Sequence, residues 1–211
     1  MNAEKFLANL REMPLIAILR GLRPDDAIEV VEVLLAQGIK VVEVPLNSPD
    51  PFASIEKIAS RFSGLLTVGA GTVLTEQDVE KVCAAGGEIA LSPCVNTAVI
   101  RRALELGLEP VPGIATPTEA LSALDAGAQV LKVFPAESLG PNFFRHLPVV
   151  LPAHCRLLAV GGVDLTNMRQ FLAAGATGVG LGSSLFRPEM DMNTLSDKAA
   201  RFTELYRPHS R

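Results

Sequence analysis

Val130-Leu131-Lys132-Val133-Phe134-Pro135-Ala136-Glu137-Ser138-Leu139-Gly140-Pro141 holds in one stretch a strand, a stop and a helix start. The run from Val130 to Phe134 is apolar except for Lys132. Pro135 ends it, and Gly140-Pro141 opens a helix, with Pro141 suited to the first helical position. An ammonium is expensive to bury, so a lysine inside an apolar strand tends to lose its proton. A neutral lysine is a nucleophile toward ketones and forms Schiff bases. The alternative for Lys132 is a packed stem with its charged head in water.

Working outward, the same unit recurs. Short apolar runs occupy residues 15–19, 41–46, 65–68, 89–91, 110–114, 130–134, 157–160 and 179–181. Each is bounded by Gly, Pro or polar residues and lacks strict alternation, as parallel strands covered on both faces do. Helical patterns fill the gaps over 25–37, 51–62, 75–85, 96–106, 141–151, 166–174 and 196–206, with one more opened by Thr116 or Thr118 and closed by Gly127. Thr75 with Asp78 reads as an N-cap with an acidic first turn. Residues 2–12 read as an amphipathic helix stopped by Pro14. About eight strand–helix units imply a parallel sheet, and at this length a closed barrel. The expected architecture is α/β, a (β/α)8 TIM barrel with an extra N-terminal helix, as a single domain over 1–211.

With 211 residues, 48% of them hydrophobic, the chain can bury a large core. A net charge of −4 without a basic patch gives no footprint for nucleic acid. No apolar run is long enough to span a membrane, and the charged start MNAEKFLANLREM has no signal-peptide core, so no membrane partner and a cytoplasmic location are expected. Cys83, Cys94 and Cys155 lack CxxC spacing and read as reduced thiols. His146, His154 and His209 have no ligand spacing, so no metal is expected.

A barrel carries its chemistry at the C-terminal ends of its strands. Glu43 and Lys132 each interrupt an apolar strand there. Facing the lumen together, they would pair a carboxylate with an amine for proton transfer; the alternative is a structural ion pair. Gly161-Gly162 and Gly182-Ser183 end consecutive strands and would present backbone N–H groups to a phosphate; the alternative is glycine serving only a tight turn. Arg20 is an anion clamp or a rim salt bridge. Thr72 is a hydroxyl donor to a carboxylate or a turn hydroxyl.

These residues sit in stretches that resemble the KDPG/KDPGal aldolase family: PLIAILRG (14–21), VEVPLNSP (42–49), VGAGTVL (68–74), Ser92-Pro93, Pro112-Gly113 with Thr116 and Glu119-Ala120, LKVFPA (131–136), AVGGV (159–163) and GLGSSL (180–185). The resemblance implies a class I aldolase with Lys132 as the imine-forming lysine and Glu43 as the proton shuttle. It implies Arg20, Thr72, Val160, Gly161, Gly162, Gly182 and Ser183 as contacts to a phosphorylated 2-keto-3-deoxy sugar acid, with pyruvate as a product. It implies no cofactor, no metal and a homotrimer. Asn47, where the gluconate branch commonly carries arginine, and Val160, where that branch often carries threonine, resemble the galactonate branch. The gluconate isomer of the reaction, a non-imine phosphosugar epimerase or isomerase, and a non-catalytic phosphosugar-binding barrel are the alternatives. Without a second arginine at position 47, Arg20 gains weight as the partner of a substrate carboxylate.

Overall fold

The computed structural model describes residues 2–206. In chain order the elements are α1 (Asn2–Glu12), β1 (Leu15–Ile18), α2 (Ala27–Ala36), β2 (Val41–Pro45), α3 (Pro51–Arg61), β3 (Thr67–Gly71), α4 (Glu76–Ala84), β4 (Ile89–Leu91), α5 (Thr97–Glu105), β5 (Glu109–Val111), β6 (Gly113–Ile114), α6 (Pro117–Asp125), β7 (Val130–Val133), α7 (Ala136–His146), a 3-10 turn (Leu147–Val150), β8 (Arg156–Val160), α8 (Met168–Ala173), β9 (Gly178–Leu181) and α9 (Met192–Tyr206). All strand pairs are parallel, in the order β5-β4-β3-β2-β1-β9-β8-β7-β6.

The two ends of that order, β5 and β6, are halves of one extended stretch divided at Pro112. Proline has no N–H to donate, so the ladder breaks there. The Pro112 carbonyl still accepts from Lys132 N–H at 2.9 Å, while Val111 accepts from Ser92 N–H at 3.1 Å. Neighbours on both sides thus bond to one stretch, which brings the ring to a nearly closed barrel of (β/α)8 type.

Inward positions of alternate strands fill the lumen. Ile16, Ile18, Val41, Ile89, Leu91, Val111, Val130, Leu158 and Val160 form one cluster. On β3 and β9 the inward positions Gly69, Gly71, Gly178 and Gly180 are glycines, because neighbouring atoms already occupy the space. A Cβ at Gly180 would press on Val160 and Ile18, and one at Gly71 would strike the Glu43 carboxylate. Phe6 and Leu10 of α1 belong to the same cluster, so α1 plugs the N-terminal end of the barrel. Asn9 donates to Thr67 Oγ1 at 3.0 Å, and Lys5 pairs with Glu88 at 2.7 Å, fixing the plug. The outer core lies between the strands and the helix ring.

Local chemistry explains the helix starts. Thr75 accepts from Asp78 N–H while the Asp78 side chain accepts from Thr75 N–H, a reciprocal capping box. Asn96 caps α5, and Thr116, not Thr118, caps α6.

Five expected element bounds are corrected. The third strand runs from Thr67 to Gly71 rather than 65–68. Its Gly-Ala-Gly end has little strand preference, but the pairing with β2 imposes it. The helix expected over 141–151 begins at Ala136 and ends at His146, and Gly140 interrupts it at φ 72° before Pro141 restarts it. The last helix starts at Met192 instead of 196, where Asp191 accepts from Thr194 N–H at 2.9 Å and from its hydroxyl at 2.7 Å. The expected 25–37 and 166–174 helices shrink to α2 and α8. Among the described residues no helix is long and apolar enough to cross a membrane.

Candidate active site

A cavity of about 700 Å³ opens at the C-terminal face of the barrel. Its walls include Arg20, Glu43, Thr72, Lys132, Val160, Gly161, Gly162, Gly182 and Ser183. The structure therefore gathers these nine expected catalytic and contact residues, from six different strand ends, around one space.

At the base lie Glu43 on β2 and Lys132 on β7, 3% and 6% exposed. Burial pushes the Lys132 ammonium below its ordinary value, a shift resisted by Glu43 and assisted by Arg20. Burial also pushes the Glu43 carboxyl up to about 7, against the opposing pull of Lys132 and Arg20. Both groups are driven toward their neutral forms. They face each other without a salt bridge among the described residues, and Glu43 Oε2 is buried without a hydrogen-bond partner. A structural ion pair is thus not what is built here. An unpartnered buried carboxyl oxygen is costly, and it points to a group that arrives from outside.

Gly71 makes room for that carboxylate, since any side chain there would displace it. Thr72 follows at φ 59°, a left-handed conformation rare for a β-branched residue. Such strain is retained where surrounding structure enforces it, commonly at functional sites. Phe134 is exposed at the mouth, with its ring centroid 5.1 Å from Lys132 Nζ, and shields the amine from bulk water. The Phe134–Pro135 peptide is cis.

Arg20 is exposed at the rim, and its Nη1 donates to Asn47 Oδ1 at 2.5 Å. Among the described residues the rim salt bridge considered for it is not formed, so its charge is held in place by Asn47 without an acidic partner. Two strands away round the ring, after β8, Gly161 and Gly162 take φ 93° and 73°. That turn aims backbone into the cavity beside Gly182 and Ser183, as an anion cradle requires. Thr72 lines the cavity, and no cap is built on its hydroxyl.

Glu137, Ser184, Arg187 and Arg201, not among the residues expected from sequence, also line the cavity. Glu137 lies two residues beyond Pro135, with its N–H donating to Gly161 O at 3.0 Å. Ser184 donates to Val163 O at 2.8 Å, tying the two glycine loops together. Proximity to the Gly-Ser end of β9 was an available signal for Ser184 and Arg187; nothing local marks Arg201. Among the described residues no cluster of His, Cys, Asp and Glu is arranged to hold a metal. His146 and His154 are exposed and away from the cavity, and His209 lies outside the described residues. The three cysteines are free thiols, and burial raises Cys155 to about 11.

A family model described as KDPG and KHG aldolase matches residues 7–199. A curated relative from Rhizobium meliloti (strain 1021), named "Probable 2-dehydro-3-deoxy-6-phosphogalactonate aldolase", is 47% identical over 89% of each chain. The Escherichia coli (strain K12) protein named "2-dehydro-3-deoxy-6-phosphogalactonate aldolase" is 42% identical over 93% of this chain and 96% of its own. A solved structure titled "Native KDPGal structure" superposes with a TM-score of 0.90 at 42% identity, covering 92% of this chain and 95% of that one.

Proposed function

The chain belongs to the KDPG and KHG aldolase family, and from that premise we propose that it cleaves 2-dehydro-3-deoxy-6-phosphogalactonate to pyruvate and D-glyceraldehyde 3-phosphate through an imine on Lys132. One observation carries the proposal: a buried lysine and a buried, unpartnered carboxyl share the base of one cavity, each driven toward its neutral form. An uncharged amine is the reactive state for imine formation, and a carboxyl titrating near neutrality can both give and take a proton.

In this mechanism Lys132 Nζ attacks the C2 carbonyl carbon. Glu43 delivers a proton to the departing oxygen, and water leaves as the iminium forms. Glu43, now ionised, takes the C4 hydroxyl proton; the C3–C4 bond breaks, and its electron pair passes through C2 to the iminium nitrogen. The aldehyde phosphate departs. The resulting enamine is protonated at C3, and the water lost earlier is returned by hydrolysis to release pyruvate and free Lys132. Arg20, held by Asn47, receives the carboxylate end, and the Gly161-Gly162 and Gly182-Ser183 backbone receives the phosphate. Thr72 and Val160 line the path between. Val160 offers no hydroxyl to the sugar and Asn47 no second guanidinium, which supports the galactonate epimer over the gluconate one. The proposal includes a cytoplasmic homotrimer that uses no cofactor and no metal.

Borohydride with pyruvate is expected to trap a covalent adduct on Lys132, found by peptide mass mapping and absent from Lys132→Ala. Glu43→Gln is expected to form the adduct but to turn over about 10²–10⁴-fold more slowly. Full activity in Lys132→Ala refutes the imine. Pyruvate release from the two C4 epimers decides the branch: faster cleavage of the gluconate epimer overturns the substrate assignment and leaves the chemistry standing.

A further inference from the structure

Two guanidinium groups on the cavity wall are left over by the chemistry above. Arg187 follows β9, and Arg201 comes from α9. Elsewhere on the surface Arg23, Arg61 and Arg102 are paired with carboxylates. Arg187 and Arg201 are within ion-pair distance of none among the described residues. The acids on the same walls do not cancel them. Asp164 accepts through Oδ1 from the Thr166 N–H and hydroxyl and from the Asn167 N–H, Glu137 lies against Gly162, and neither is within ion-pair distance of Arg187 or Arg201 among the described residues.

Arg187 is also anchored. Its Nε donates to the carbonyl of Ser183 at 3.2 Å, so the guanidinium is tied to the residue whose backbone borders the phosphate cradle, with both terminal nitrogens unspent. A planar fork held this way suits a phosphoryl group, which accepts two parallel N–H bonds. Arg201, from a different element, faces the same cavity. Backbone N–H groups alone bind any small anion; adding two positive charges, one of them anchored, favours a dianion over a neutral hydroxyl at the far end of a substrate.

We propose that Arg187 and Arg201 form an outer guanidinium clamp that selects substrates by their phosphoryl end, Arg187 directly and Arg201 as the second jaw. The inference rests on the phosphosugar-acid reading of the site, which it deepens by naming the residues that discriminate a phosphorylated from an unphosphorylated chain.

The test compares wild type with Arg187→Ala, Arg201→Ala, the double variant and Arg187→Lys. Each is assayed with 2-dehydro-3-deoxy-6-phosphogalactonate and with its unphosphorylated counterpart, and each is titrated directly with inorganic phosphate. Each alanine change is expected to raise KM for the phosphorylated substrate roughly tenfold, with kcat little altered and the unphosphorylated counterpart barely affected. The double variant is expected to lose more, Arg187→Lys to recover part, and phosphate affinity to fall in the same order. An unchanged KM, equal losses on both substrates or unchanged phosphate binding overturns the clamp. Failure of wild type to trap pyruvate would instead sink the aldolase proposal, while the phosphate titration would still report on the two arginines.

Discussion

At the scale of single residues, the site depends on what glycine leaves out. Gly71 has an ordinary extended backbone, yet a methyl group there would enter the space of the Glu43 carboxylate. Gly71→Ala is therefore expected to fold but to move that carboxylate. Since about 1 Å of misplacement costs on the order of 10² in rate, kcat should fall by about that factor while the melting temperature shifts by a few degrees; steady-state assays and thermal melts check both. The charged residues of this site were legible in sequence because a lysine and a glutamate inside apolar strands contradict their surroundings. Glu109 carries the same contradiction at the start of β5 and was passed over, because at the edge of a run an acid reads as a boundary marker. It is only 5% exposed. Arg201 and Glu137 lie on polar segments where a charge is unremarkable, so only folding reveals that they reach the cavity that Arg187 also lines.

At the scale of elements, the helix starts were readable where a side chain closes its own cap, as at Thr75, Asn96 and Thr116. They were unreadable where backbone breaks decide, as at Gly140 within α7 and Pro112 between β5 and β6. The order of β3 through Gly69-Ala70-Gly71 comes from its partners and not from its own preferences. The role of α1 was likewise hidden: its amphipathic pattern predicts a buried face without saying what that face meets. In the fold, Phe6 is fully buried against the barrel lumen. Phe6→Ala is expected to destabilise the protein by about 3–5 kcal/mol, since it removes a ring and leaves a cavity between the plug and the strands. Urea unfolding measures the loss, and a change below about 1 kcal/mol would mean that α1 is peripheral to the barrel.

At the scale of the whole molecule, two carboxyls buried at different heights, Glu43 and Glu109, couple stability to pH. Burial raises both from 4.5 to about 7. A carboxyl whose folded pKa exceeds its unfolded one holds its proton more tightly when folded. Its stabilising contribution is complete below about pH 4.5 and is lost as pH rises through about 7. These two groups therefore favour the fold at pH 5 over pH 8, opposite in sign to surface-paired acids. Glu109→Gln, far from the reacting lysine, is expected to gain about 1–3 kcal/mol over wild type at pH 8 and almost nothing at pH 5. Chemical denaturation at the two pH values checks the sign, and an equal effect at both would show that Glu109 does not titrate in this window. The closed base beneath these carboxyls also governs traffic. With α1 filling the far opening, the barrel is, among the described residues, a blind well with one doorway, so on the proposed chemistry the two products leave in single file. The aldehyde phosphate, nearer the exit, must clear before the three-carbon fragment tethered to the floor can follow, and in the condensation direction pyruvate must enter first.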